Sequence, residues 1–162
     1  MILREATRDD LQPLLALCKK AWTRLGIPFD TNIDRLRQLR EQRFRIIVLY
    51  DADAILAALI AYPIATDRGP GFEIKAFLVD QDLHDKTTLL DALSLYAMNI
   101  ALAEGRAVVL SRRPRRTRGT VYGRDKLGMD TALSDANTIH QIGHAPDMMQ
   151  HILDRHPQWQ LP

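Results

Sequence analysis

Apolar positions change period several times along this chain, and each change marks an element. Residues 1–7 open as a short strand. Leu11, Leu14, Leu15, Cys18 and Trp22 then recur at helical spacing. Thr7 can cap that helix, with Asp10 three residues on in a weak capping-box pattern. Gly26 and Pro28 end it. A second helix starts at Thr31, with Ile33, Leu36 and Leu39 on its apolar side and Arg35, Arg37 and Arg40 on its wet side. Residues 43–50 and 55–65 read as an antiparallel hairpin turning through 51–54, with Pro63 near the end, where a missing N–H is tolerated. Residues 66–71 are a loop. Further on, residues 111–120 (SRRPRRTRGT) read as a basic loop, and 121–128 as a short helix stopped by Gly128. Residues 129–133 and 138–143 form a last hairpin turning at 134–137. Met148, Met149 and Ile152 mark a short C-terminal helix that Pro157 stops.

One stretch, residues 72–105, organises the rest. FEIKAFLV (72–79) is a mostly apolar strand that Glu73 and Lys75 interrupt at period two, so one face is more buried than the other. A polar turn follows at 80–85. A long helix comes next, with Leu89, Leu93, Tyr96 or Ala97, and Ile100 along one face. Gly105 suits a left-handed C-terminal cap. AVVL (107–110) is the natural returning parallel strand. Such a crossover turns the helix N-terminus to the sheet edge, where free N–H groups and the dipole favour an anion such as a pyrophosphate. A cofactor, if the protein has one, belongs near Asp82 to Leu89. The order β, α, α, β, β, β, α, β, α, β, β predicts an α/β or α+β domain with a mixed sheet.

Composition narrows the function classes. A chain of 162 residues is one domain by length, and its 46% apolar and 26% charged residues are ordinary for a folded soluble protein. A net charge of +2 does not by itself imply a polyanion partner. The lone cysteine, Cys18, cannot form an internal disulfide, and its place in an apolar stripe makes it a buried thiol rather than a nucleophile. Charges at Arg4, Glu5, Arg8, Asp9 and Asp10 exclude a signal peptide, and no apolar run nears the ~20 residues that span a bilayer. These features point to the cytoplasm.

Three segments carry a family resemblance. ILREATRDDLQPLLALC resembles the first strand and helix of the GNAT (GCN5-related N-acetyltransferase) superfamily. FEIKAFLVDQDLHDKTTLLDALSLYAMNIALAEG resembles its acetyl-CoA-binding strand, loop and helix, and RDKLGM its late helix. The similarity spans residues 1–143. It implies a mostly antiparallel sheet flanked by helices, with one parallel β-α-β crossover, in a domain of residues 1–145 followed by a tail, 146–162. It places acetyl-CoA against Leu78, Val79, His84, Lys86, Thr87, Thr88 and Leu89. It makes Glu73 a candidate general base. Tyr122 becomes the candidate acid.

The departures from the family lie at the chemistry. The family's phosphate loop, Q/R-x-x-G-x-G/A, is here His84 to Leu89, with Thr87 and Leu89 at the small positions and no glycine. Asp85 puts a negative charge beside the anion site, which Lys86 and the Thr87 and Thr88 hydroxyls partly offset. Thr87 or Thr88 serves equally well as a plain helix cap. The family's acidic tyrosine lies four residues before the late glycine, which is Arg124 here. Tyr122 lies two residues earlier, about 200° round a helix. An asparagine often follows the family's fifth strand, where this chain has Ser111, Arg112, Arg113 and Pro114. Glu73 equally suits a solvent-facing strand position.

Two further clusters bear on partners. Arg112, Arg113, Arg115, Arg116 and Arg118 put five arginines in seven residues, suited to phosphate or carboxylate. No aromatic is interleaved before Tyr122, so a stacking platform for nucleic acid is not expected. His140 and His144 lack the intervening glutamate of a zinc helix, and no metal is expected. In the tail, Met148, Met149 and Trp159 suit folding back on the domain or docking on another subunit. Two functions stand against each other. One is a degenerate GNAT-like structural or assembly component, as some bacteriophages encode and group with virion proteins, binding a protein partner or itself through the arginines and the tail. The other is an acetyl-CoA-dependent N-acetyltransferase acting on an unidentified amine.

Overall fold

The computed structural model describes residues 1–24, 38, 43–114 and 118–159. Its elements run β1 (Ile2–Glu5), α1 (Leu11–Arg24), β2 (Arg45–Asp51), β3 (Ala54–Thr66), β4 (Gly69–Val79), α2 (Lys86–Ala103), β5 (Val108–Pro114), α3 (Arg118–Asp125), β6 (Asp130–Ser134), β7 (Thr138–His144) and α4 (Ala145–Arg155). The seven strands order as β1-β2-β3-β4-β5-β7-β6. The pairs β1/β2, β2/β3, β5/β7 and β6/β7 are antiparallel, and β4/β5 is parallel. The helix expected from Thr31 lies outside the described residues. No helix among the described residues is long and apolar enough to cross a membrane.

The chain divides into two compact units. One holds Met1–Tyr62 and Ala76–Tyr96, the other Pro63–Lys75 and Ala97–Pro162. In the first, Leu11, Leu14, Leu17 and Cys18 of α1 form one cluster with Ile46 and Val48 of β2, Ile55, Ala58 and Ile60 of β3, and Leu78. Ile47 and Leu59, on the opposite faces of β2 and β3, are also buried, so these strands read as continuous apolar runs. Burying each such side chain is worth about 1.5–3 kcal/mol. Cys18 is part of this core, and burial pushes its thiol up to about 11, which leaves it inert at neutral pH. Asp10 ties β1 to the start of α1. It accepts from both terminal nitrogens of Arg4 (2.6 and 3.0 Å), from the Thr7 N–H (2.5 Å) and hydroxyl (3.0 Å), and from the Tyr50 hydroxyl (2.8 Å).

In the second unit, β5 pairs with β7 from Val108↔His144 to Pro114↔Thr138. Leu127, Met129, Ile142, Met148, Met149 and Ile152 fill its core. Met148 and Met149 of the tail are thus covered by their own chain. Trp159 is half-exposed and stacks on His156, with ring centroids 3.9 Å apart. The parallel ladder joins only Gly71–Ile74 to Val108–Ser111, although both strands run on. Gly71 permits a close approach there, because a Cβ at that position would stand 2.6 Å from the Val108 carbonyl oxygen. Arg106 fastens the same end, donating to the carbonyls of Ile64 (3.2 Å) and Gly71 (3.4 Å).

Several expectations need correcting. Strand β4 begins at Gly69 rather than Phe72, and β5 takes in Ser111 to Pro114, so the basic stretch opens as strand. Pairing with β7 supplies the hydrogen bonds that hold those charged residues extended. His144 ends β7 rather than lying past it. The apolar stripe assigned to α2 is too narrow, since Leu93, Leu95, Ala97, Met98 and Ala101 are all buried, while Leu89 and Ile100 are only partly so. Gly105 does cap α2 with φ +72, and Arg106 N–H closes on the Ala101 carbonyl at 2.8 Å.

Candidate functional site

The loop from β4 into α2 is where a phosphate would dock. Leu78 and Val79, just before it, are buried. The Asp80 N–H donates to the Leu56 carbonyl at 2.8 Å, and Asp82 N–H to the Asp80 carboxylate at 3.0 Å. Lys20, from α1, puts its ammonium 2.7 Å from Asp80 and 2.6 Å from Asp82. His84 and Thr87 are exposed, and Lys86, Thr88 and Leu89 half-buried. Asp85 accepts from the Thr88 N–H at 3.1 Å. The helix cap is therefore Asp85, not Thr87 or Thr88: aspartate is a preferred cap, and its carboxylate also meets the positive end of the helix dipole.

This arrangement opposes a pyrophosphate. One of the first-turn amides that a bound anion could use, that of Thr88, is already taken by the chain's own carboxylate. A helix terminus is worth about 0.3–1 kcal/mol to an anion at the surface. That gain is offset by the repulsion of a second negative charge about 4 Å from the exposed Asp85, which costs about 1–4 kcal/mol between the dielectrics of water and of a protein surface. Asp80 and Asp82 add to it, only partly offset by Lys20 and Lys86.

The second candidate group lies where β4 pairs with β5. Glu73, with its partners Lys75 and Arg112, shares one face of the sheet with Leu110, its pair in β5. The Glu73 side chain is only 4% exposed, which rules out the solvent-facing alternative. Its Oε1 lies 2.8 Å from the Lys75 ammonium and 3.3 Å from Arg112 Nε. Arg113 points to the other face, where its Nε donates to the Ser111 hydroxyl at 3.0 Å, and burial lowers its pKa. Tyr122 is buried on α3. Arg124, at the position of the family's tyrosine, is exposed and bound to Asp125 at 2.6 Å. Side chains of Arg115, Arg116 and Arg118 lie outside the described residues. No group of metal-binding side chains occurs among the described residues.

Sequence reasoning missed Lys20, Lys75 and Arg112 as partners. Glu73-x-Lys75 was legible as a same-face pair, and Asp85-x-x-Thr88 as a cap, but nothing local announces Lys20 or Arg112.

By sequence, no protein-family model and no curated protein matches this chain. Solved structures do match by shape. The PaiA N-acetyltransferase of Thermoplasma acidophilum, in complex with coenzyme A, is 14% identical, covers 88% of this chain and 98% of its own, and superposes with a TM-score of 0.72. Aminoglycoside 6'-acetyltransferase type Ii is 17% identical over 90% and 97%, with a TM-score of 0.73. The ribosomal-protein-S18-alanine N-acetyltransferase of Escherichia coli is 14% identical over 89% and 93%, with a TM-score of 0.70. The strand order, the parallel pair and these likenesses agree: the chain has the GNAT acetyltransferase fold.

Proposed function

We propose that this chain is a GNAT-fold protein that no longer uses acetyl-CoA efficiently and works as a non-catalytic structural or assembly component, for example of a bacteriophage virion. The observation that carries this reading is the Asp85 carboxylate on the Thr88 N–H, an internal anion where a cofactor phosphate would bind. Leu89 in place of a small residue, and a Glu73 oxygen already engaged by two cations, support it. The place of action is the cytoplasm, or the virion if a phage encodes the chain. Isothermal titration calorimetry with acetyl-CoA tests the reading. The native chain is expected to show no micromolar binding, and Asp85→Asn combined with Leu89→Gly to gain it. Micromolar binding by the native chain overturns the proposal.

The second reading, an acetyl-CoA-dependent N-acetyltransferase, is favoured by the superposition on almost the whole of a coenzyme A-bound enzyme. On that reading Glu73 is the base and Tyr122 the acid, and acetyl-CoA meets Leu78, Val79, His84 and the stretch from Lys86 to Leu89. Amine-dependent release of coenzyme A that disappears in Glu73→Gln would establish it.

A further inference from the structure

The Glu73 cluster holds more positive charge than its buried carboxylate needs. One cation suffices to neutralise an enclosed carboxylate, and burying a charge without one is costly. Two are present, one from each strand of the parallel pair, leaving one positive charge over. Both are reachable from water: the Lys75 side chain is 40% exposed and that of Arg112 52%. Holding two long side chains in one place costs rotamer entropy, which an exposed ion pair barely repays. Glu73 is the fixed point that orients them. With Arg112 Nε turned to Glu73, the guanidinium keeps its terminal nitrogens, and Lys75 keeps further N–H donors, for another acceptor. His140 of β7, the residue paired with Arg112, is itself only half-buried.

We propose that Lys75, Glu73 and Arg112 form a receptor for one carboxylate, supplied by an aspartate or glutamate side chain of a protein partner. A single surplus charge matches a monoanionic carboxylate better than a dianionic phosphate, and a guanidinium fork matches its two oxygens. That the carboxylate belongs to a protein rests on the assembly role proposed above.

The test follows the Arg112 Nε–Hε signal by NMR in the full chain, during titration with a short glutamate-rich peptide. Its glutamine counterpart, acetate and inorganic phosphate serve as comparison probes. The expected result is a saturable shift, with the glutamate peptide binding at least about fivefold tighter than the glutamine one. Arg112→Gln and Lys75→Gln, read on backbone signals of β4 and β5, should each abolish that preference. Both leave Glu73 one cation, so the fold stays intact, and Lys19→Gln on α1 is the neutral control. Equal binding of the two peptides, or native behaviour of both variants, overturns the receptor. Tighter binding of phosphate overturns the carboxylate, and acetate binding as tightly as the peptide overturns the protein partner. Micromolar acetyl-CoA binding beside an intact peptide preference would remove the non-catalytic reading and leave the receptor standing.

Discussion

Asp10 and Glu73 are both carboxylates closed off from water, and they are neutralised in opposite ways. Asp10 spreads five hydrogen bonds over both oxygens, and one arginine balances its charge. Glu73 presents one oxygen to two part-exposed cations. The first arrangement is complete in itself and serves folding. The second is charged to excess and faces outward. Burial of a carboxylate alone therefore says little about its role; the balance of charge around it says more.

The contrast can be broken first by removing each charge. Asp10→Asn should cost about 3 kcal/mol in urea unfolding, because it removes the charge that balances Arg4 and puts an NH2 donor in place of one of the two acceptor oxygens. A loss that large in Glu73→Gln would erase the difference. The pH dependence sharpens the contrast further. The Arg4 hydrogen bonds, with help from Thr7 and Tyr50 and against the cost of burial, hold the Asp10 carboxyl far below the usual carboxylate range. A depressed folded value means that the unfolded chain takes up the proton more readily. Stability from Asp10 is then fully present above about pH 4, the unfolded value, and is lost as the pH falls below it. Urea midpoints between pH 6 and pH 2 should fall steeply in the native chain and less in Asp10→Asn. Glu73→Gln should cost only about 1 kcal/mol, since solvent takes up the released cations. Asp85→Ala removes a helix cap and should cost about 1 kcal/mol or slightly less, measured the same way, while leaving the behaviour of the other two carboxylates unchanged.

Much of the architecture was legible because it rests on local signals. Gly105 announced the end of α2, and the break at 51–54 announced the β2–β3 hairpin. Half of the expected weak capping box exists: the Thr7 N–H donates to Asp10, while the Thr7 hydroxyl donates to the same carboxylate instead of accepting from the helix. Asp10 also does far more, because Arg4 and Tyr50 reach it only once β1 lies beside β2. The Glu73 site was half legible. A glutamate and a lysine alternating on a strand look like a wet face, and only the register of β4 with β5 brings Arg112 over Glu73. Reading Ser111 to Pro114 as a loop hid the strand alternation that sends Arg112 to one face and Arg113 to the other. The Asp85 cap was hidden by reading that residue only as a neighbour of an anion site, when its carboxylate accepts from the Thr88 N–H.

Gly71 gives the parallel pair a built-in spacer gauge. A Cβ there would stand 2.6 Å from the Val108 carbonyl oxygen, so any larger residue must shift the ladder on which Glu73 also lies, two residues along. Enlarging Gly71 would retune the cation pair from a distance, as a shim changes the throw of a lock without touching the bolt. A lineage that varied only this residue could dial the receptor open or shut while every residue of the receptor stayed the same.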